Sequence, residues 1–289
     1  EAGDWINQRN PIFDTFPALS DDPVAHFASH SRGVETTRDA WCYNFSRSKV
    51  ESNMRRMIDF YNEQALANDG TKASLVMDPT LISWSSSLIP KALRGDSYEY
   101  SPNRLQQGVY RPFCKQNVYF DSIFNHRPGK NASYFPTPQH GNVGILVTSP
   151  GGNAPFTALM CDALVDVVGI TGSGNAGQFF PRWTYEKVSA DDGLFAASPG
   201  EVDEYGYRRV DNITDEILAV YREKFGPQVS KDDIFHYVYG VLHSQQYREV
   251  FAADLKRMLP RIPLAASSAD FQAFVDAGRA LADLHVNYE

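Results

Sequence analysis

Cysteine is scarce in this chain. Its 289 residues hold three, Cys42, Cys114 and Cys161, far apart and odd in number. That spacing fits neither a zinc site nor a disulfide framework, so buried thiols in a reducing, cytoplasmic compartment are expected. Long apolar runs are missing too. None approaches the roughly 18 residues that read as a membrane-crossing helix, so no membrane partner is expected. The chain opens EAGDWINQR, with no Met and no charged-then-apolar leader. It therefore reads as a piece of a longer protein or a processed form, without a signal peptide.

Catalytic motifs are equally sparse. No Gly-x-x-x-x-Gly-Lys-Ser/Thr phosphate loop and no Gly-x-Ser-x-Gly elbow occurs. His26 and His30 stand four apart, as two helical metal ligands would, but no Glu follows His26 and no third ligand is evident. His126, His140, His236, His243 and His285 have no matched partners. Asn10-Pro11-Ile12-Phe13 lacks the second proline of the Asn-Pro-Pro-Tyr loop of amino-methyltransferases. Gly172-x-Gly174-x-x-Gly177 has the spacing of a dinucleotide loop and follows an apolar run. Such a loop must open a helix whose free N–H groups face the pyrophosphate. Here QFFPRWTYE follows, with Pro181 where a helix interior would lie and strand-favouring aromatics around it. A flexible connection into an aromatic strand is the expectation. No catalytic residue, metal or cofactor is assigned to the chain.

What is present is ordinary globular material, 43% hydrophobic and 21% charged, enough for one large or two ordinary domains. The formal charge of −8 argues against nucleic acid only if it is spread evenly. It is not. Residues 191–289 hold 17 acids and 10 bases, whereas Lys91 to Lys130 holds seven bases and three acids. A local basic surface or a merely solvated face would both fit this imbalance.

The patterning changes along the chain. SRSKVESNMRRMIDFYNEQALAN predicts a helix capped by Ser46 or Ser48, with Val50, Met54, Met57, Ile58, Tyr61 and Ala65 on one face. Residues 75–190 carry short apolar runs broken by Pro and Gly, the texture of strands and long loops. From about 211 helices are expected: one from Asn212 or Thr214 to Gly226, one capped by Ser230-x-x-Asp233, and one from Ser244 to Pro260. A last helix places Phe271, Phe274, Val275, Gly278 and Leu281 on one face. The expected class is α+β: a β-rich part with long loops, an N-terminal helix and a C-terminal helical lobe. The expected division is 1–200 and 201–289, with DDGLFAASPGEVDEYG at the boundary.

Basic and aromatic residues interleave in VYRPFCKQNVYFDSIFNHRPGK. Arg and Asn can pair with base edges, and Lys and Arg can neutralise phosphates. A β-hairpin with an aromatic core and charged rims is the alternative. The stretch SRGVETTRDAWCYN offers a second patch, Arg32, Arg38, Trp41 and Asn44, or else a packed turn around Trp41.

At these residues the chain resembles the C-terminal specificity region of Type ISP restriction–modification enzymes. The matching stretches are DWINQR, SRGVETTRDAWCYNFS, MIDFYN, YRPFCKQNVYFDSIFN, QFFPRWTYE, IFHYVYGVLHSQQYREVFAADLKRMLPRIPL and GRALADLHVNYE. They run in order from residue 4 to the last residue, and the long helical stretch is the most specific. The resemblance implies reading of a short double-stranded DNA sequence for an adenine methyltransferase and a helicase-like motor. Both would lie upstream, with residues 1–70 connecting to the methyltransferase. S-adenosylmethionine, ATP and Mg would then belong to those upstream domains. GITGSGNAG and SADDGLFAASPGEVDEYG, residues 189–206, have no fixed counterpart in the family pattern, so no contact carries over to them. Under this reading Lys91, Arg94 and Arg104 are candidate phosphate contacts, and Lys130 is a further candidate for contact with DNA. Arg111, Lys115, Asn117 and Arg127 are candidate groove contacts. The rival is a module that docks methyltransferase to motor with little DNA contact of its own.

Overall fold

The computed structural model describes residues 9–172, 175–188 and 202–288. Of the expectations above, most of DWINQR, Gly174 and most of the stretch at 191–206 lie outside them. In chain order the elements are β1 (Ser31–Arg32), α1 (Asp39–Cys42), β2 (Tyr43–Asn44), α2 (Arg47–Ala67), α3 (Ile89–Leu93), β3 (Leu105–Arg111) and β4 (Cys114–Tyr119). There follow β5 (Gly144–Thr148), β6 (Ala158–Cys161), β7 (Leu164–Val165), β8 (Gly177–Pro181), β9 (Trp183–Lys187) and β10 (Tyr207–Asp211). The helices α4 (Asp215–Phe225), α5 (Lys231–His243), α6 (Gln245–Val250), α7 (Ala252–Leu255) and α8 (Ser268–Val286) complete the chain. The class is α+β, as the patterning predicts.

The compact units follow a different division from 1–200 and 201–289. Unit 1 comprises residues 1–32, 142–162 and 170–289, and unit 2 comprises 33–141 and 163–169. The helices after residue 211 do not form a lobe of their own, because they share one core with strands from much earlier in the chain.

In unit 1 the antiparallel sheet β1-β8-β5-β6 gives its inner residues Ile145, Val147 and Phe180 to the same core as Ile217, Tyr221, Tyr237 and Phe271 from the helices. α5 is apolar nearly all round, with eight consecutive-turn residues from Ile234 to Leu242 buried, as a central helix must be. It crosses α8 through two glycines. A Cβ on Gly240 would lie 2.4 Å from the Phe274 carbonyl oxygen, and one on Gly278 would lie 2.0 Å from that of His236. Both caps arise as the sequence predicts: Thr214 accepts from the Ile217 N–H, and Ser230 and Asp233 form a reciprocal capping box.

One helix departs from expectation. The segment from Ser244 toward Pro260 breaks into α6 and α7 at Phe251, whose backbone is non-helical at φ −107°, ψ 21°. The Phe251 ring packs against Phe13, Phe16 and Tyr247. The buried Asp254 carboxylate accepts from Arg9 Nε at 3.0 Å and from the Asn10 N–H at 3.1 Å. These two tertiary demands override the local pattern. Asn10 caps a short 3-10 turn over Pro11–Thr15, which is the fold's use of Asn10-Pro11-Ile12-Phe13.

The Gly172 region also resolves. Gly177 opens β8, and the chain runs on through Phe179, Phe180 and Pro181 as strand, not as helix. β9 and β10 then pair as a two-stranded ribbon. The Trp183 ring lies between the guanidinium groups of Arg182 at 3.9 Å and Arg209 at 4.3 Å. Arg182 is balanced by Asp211 and Asp232, each at 2.6 Å.

Unit 2 is built on α2 and the sheet β2-β4-β3-β7, antiparallel except for the β3–β7 pair. Ser46 caps α2, and the six residues of its predicted face are the six it buries. Tyr61 meets Trp84, Tyr98 and Phe124 in an aromatic cluster. No described helix is long and apolar enough to cross a membrane.

Candidate nucleic-acid interface

Every candidate residue except Arg32, which stands exposed in β1, falls in unit 2. By sequence, unit 2 carries 13 basic and 11 acidic residues, a balance of +2, while unit 1 carries 14 and 24, a balance of −10. The basic stretch and the acidic bulk of the chain thus belong to different bodies.

The hairpin β3–β4 is the centre of the site. Leu105 and Val109 bury one part of it, and Val118 and Tyr119 the other, which anchors the base of the hairpin in the core. Arg111 pairs with Cys114, so Pro112 and Phe113 form a two-residue turn. Pro112 presets its own φ, and Phe113 takes φ +55°, a conformation uncommon for a residue with a Cβ. Phe113 is 48% exposed there. A register shift between Val109 and Arg111 marks a bulge at Tyr110, which re-aims the neighbouring side chains.

Arg111 is held from several sides. Its Nη1 donates to Asp166 Oδ1 at 3.0 Å and to the Tyr110 carbonyl at 2.5 Å. Its guanidinium lies 3.9 Å over the Tyr110 ring. The Tyr110 hydroxyl in turn donates to Asp39 Oδ2 at 3.2 Å, and Thr36 Oγ1 donates to the other Asp39 oxygen. Asp166 is 2% exposed, and its carboxyl is pushed up to about 6. Burial is the main cause and Asp39 adds to it, against the opposing pull of the Val168 N–H and Arg111. Gly33 allows this packing: a Cβ there would sit 2.6 Å from the Asp166 carbonyl oxygen.

The other cations are arranged more loosely. Arg94 pairs with Asp96 at 2.7 Å, Arg104 with Asp121 at 3.3 Å and Arg127 with Glu35 at 3.4 Å; the three arginines are exposed, Asp96 and Glu35 are half-buried and Asp121 is buried. Pairs near the surface, such as those of Arg94 and Arg127, contribute about 0–1 kcal/mol. Lys91 lies on α3, Lys115 on β4 and Lys130 just before a 3-10 turn at Asn131–Ser133. The Asn117 amide donates to the Phe45 carbonyl at 2.8 Å and the Asn44 carbonyl at 3.4 Å, tying β4 to the chain around β2.

The second patch is not one surface. Arg38 is 2% exposed, and its guanidinium donates to the Ser83 and Phe124 carbonyls and to Ser85 Oγ. Burial lowers its pKa from the ordinary arginine value. Trp41 is buried beside it, with Arg56 over the ring at 4.9 Å. Asn44 Oδ1 accepts from the Ser46 N–H. The packed turn, the alternative left open by the sequence, describes Arg38 and Trp41.

His26 and His30 likewise have internal partners. His26 donates from Nδ1 to the Ala18 carbonyl at 2.8 Å and accepts at Nε2 from the Tyr221 hydroxyl at 3.0 Å. His30 stacks on Phe180 and approaches Asp21 at 3.0 Å.

Residues 25–289 match the family described as the Type ISP C-terminal specificity domain. The chain belongs to that family. Among solved structures, the specificity domain is similar to part of a nuclease-deletion mutant of the Type ISP restriction–modification enzyme LlaGI in complex with a DNA substrate mimic. The identity is 33% with a TM-score of 0.80, over 99% of this chain and 20% of that one. It is similar to part of the ATP-dependent Type ISP restriction–modification enzyme LlaBIII bound to DNA, at 31% identity and a TM-score of 0.84, covering 99% of this chain and 18% of that one. A DrdV–DNA complex matches at 27% identity and a TM-score of 0.83, over 98% of this chain and 27% of that one. The specificity domain therefore spans about a fifth to a quarter of the length of these relatives. No match was found among curated proteins.

Two residues central to the specificity domain's hairpin were not legible in its sequence. Asp166 lies 55 positions from Arg111, and nothing local marks it as a partner. Phe113 reads as one more core aromatic. Its only signal is its place after Pro112 in a two-residue turn.

Proposed function

We propose that this domain reads the DNA target sequence for a Type ISP restriction–modification enzyme, and that unit 2 is the reading body. One observation carries the reading: the β3–β4 hairpin presents Arg111 and an exposed Phe113 at its turn, on a unit of positive balance in an otherwise acidic chain. A two-stranded ribbon fits the major groove of B-DNA. The DNA complexes of LlaGI, LlaBIII and DrdV support the same reading. Lys91, Arg94, Arg104 and Lys130 neutralise phosphates in this proposal, and Arg111, Lys115 and Arg127 face the groove. Asn117 joins them only by giving up its bonds to Asn44 and Phe45.

The same proposal leaves methyl transfer, ATP hydrolysis and cleavage, with their S-adenosylmethionine, ATP and Mg, to other domains of a cytoplasmic parent enzyme. The methyltransferase joins on the N-terminal side. The basis is the sequence, which carries no motif for any of the three reactions.

A competition series on the full-length natural protein tests the reading, using single-base variants of a duplex enriched by that protein from a randomised pool, at two salt concentrations. Lys91→Ala or Arg94→Ala is expected to weaken all duplexes alike and to lower the salt slope by about one. Substitutions of groove-facing residues are expected to change preference at single positions. If variants across 91–130 melt like wild type and keep both affinity and preference, unit 2 does not read DNA.

A second reading, a docking module between methyltransferase and motor, is favoured by one feature of unit 1. An apolar cleft of about 280 Å³ is lined by Tyr237, Val241, Tyr247, Val250, Phe251 and Phe274, with Val250 half exposed. Retained DNA preference combined with loss of coupling to the motor on Val250→Glu would assign that role to unit 1.

A further inference from the structure

We propose that Arg111 fixes a guanine in the recognised sequence, and that Asp166 and Tyr110 are the residues that position it. The inference rests on the reading above and names the base class taken by that site.

Base recognition by arginine needs two parallel donors held in a plane, because the guanidinium fork matches two adjacent acceptors. Arg111 has its Nη1 hydrogens engaged by Asp166 Oδ1 and the Tyr110 carbonyl. Among the described residues its Nε and Nη2 donate to nothing, and the side chain is 39% exposed. Nε–H and Nη2–H lie on one edge of the fork and point the same way. The group therefore presents one engaged edge to the protein and one parallel donor pair to solvent.

Only one base edge complements that pair in the major groove. Guanine offers two adjacent acceptors, N7 and O6. Adenine offers an acceptor beside a donor, thymine an acceptor beside a methyl group, and cytosine a donor. Two parallel donors meet both partners on guanine and fewer on any other base.

The positioning is structural as well as electrostatic. Asp166 is buried, and its second role, accepting the Val168 N–H at 3.1 Å, fixes its carboxylate in the backbone. An isolated bridge at Val34 locks it further: the Val34 N–H donates to the Val165 carbonyl, and the Val167 N–H donates to the Val34 carbonyl. Tyr110 supplies a flat platform at 3.9 Å and is itself tied to Asp39. A long flexible side chain is thereby held in one orientation before DNA arrives, which lowers the entropy lost on binding. Lysine, with a point charge and no fork, cannot replace it.

The test uses the full-length natural protein and a duplex pool with a randomised central segment, from which the preferred sequence is enriched. Each guanine of that sequence is then replaced singly by 7-deazaguanine, which removes the N7 acceptor. One replacement is expected to weaken wild-type binding roughly tenfold or more. In Arg111→Ala the same replacement changes nothing further, and preference flattens at that position alone. Arg111→Lys keeps the charge and loses the preference. Asp166→Asn weakens preference at the same position while leaving the salt slope unchanged, which a general loss of folding would not do. If Arg111→Ala melts below wild type because Asp166 is orphaned, the double variant Arg111→Ala, Asp166→Asn removes that charge and carries the test. A variant that melts like wild type and keeps its guanine preference everywhere overturns this inference and leaves the wider reading standing. Failure to enrich any sequence overturns both.

Discussion

Unit 1 and unit 2 solve different problems with the same alphabet. Unit 1 holds 24 acidic against 14 basic residues around a large aromatic core. Unit 2 is near neutral, and its sheet ends in an exposed hairpin turn. The comparison teaches that a net charge of −8 says little about partners. The acidic excess sits on unit 1, and the candidate contacts other than Arg32 sit on unit 2.

The sharpest way to break the comparison is to separate the units' stabilities. Gly278→Ala would push a Cβ to within 2.0 Å of the His236 carbonyl oxygen, backbone that cannot yield. A loss of about 3 kcal/mol or more is expected from unit 1 in urea unfolding. Hydrogen exchange should show the loss in α5 and α8 while β3 and β4 stay protected. Equal loss of protection in both would mean that the units do not unfold separately.

Acid comes next in size. The His26 ring, fully buried, is pushed down to about 4 by burial, opposed by the Ala18 carbonyl. Its folded value lies below its unfolded one, so the stability it contributes is complete above pH 6.5 and is lost as pH falls from 6.5 toward 4. The loss is about 3 kcal/mol. His243, also lowered to about 4 by burial, Arg248 and His285, acts in the same direction. In unit 2 the sign reverses for Asp166. Its folded value is raised, so its contribution is complete below pH 3.8 and is lost as pH rises toward 6. Exchange protection measured at pH 7 and pH 4.5, corrected for intrinsic rates, should fall in unit 1 well ahead of unit 2. His26→Gln should flatten the unit 1 profile. Parallel falls would remove the distinction.

The smallest effect compares helix caps. Ser46→Ala in unit 2 removes one side-chain acceptor, from the Lys49 N–H. Ser230→Ala in unit 1 removes the bond from the Asp233 N–H and the hydroxyl's own donation to Asp233 Oδ2 at 2.6 Å, and leaves the carboxylate bond to the Ser230 N–H in place. Each is expected to reduce stability by about 1 kcal/mol, with Ser230→Ala the larger. Thermal melts of the two variants decide the order.

The fold was largely legible where a local rule governs it. The buried face of α2, the caps at Ser46, Thr214 and Ser230, and the strand after Gly177 all follow from periodicity, hydrogen-bonding side chains and proline chemistry. What was not legible depends on distant neighbours. The break at Phe251 is set by rings from residues 13 and 16. The sharing of one core by 142–162 and the late helices is a matter of topology, and no composition shift announces it. At the site, the basic and aromatic interleaving pointed to the hairpin. Arg38, by contrast, looked like a contact and is an internal clamp, because nothing in TTRDAW tells a buried guanidinium from an exposed one. Asp166 escaped notice because its partner is a strand neighbour across β3–β7, not a sequence neighbour.

The chain crosses between the two units four times, at 32–33, 141–142, 162–163 and 169–170. That interleaving bears on how specificity could be inherited. A recombination event that exchanged 33–141 alone would deliver Arg111 to a new background without the Asp166 that orients it, and β3 without β7. A productive exchange must bring both segments, or draw its second one from a recipient that already carries a matching carboxylate. If unit 2 reads DNA as proposed, tracts joining 33–141 to 163–169 through the intervening strands should be the ones that survive selection.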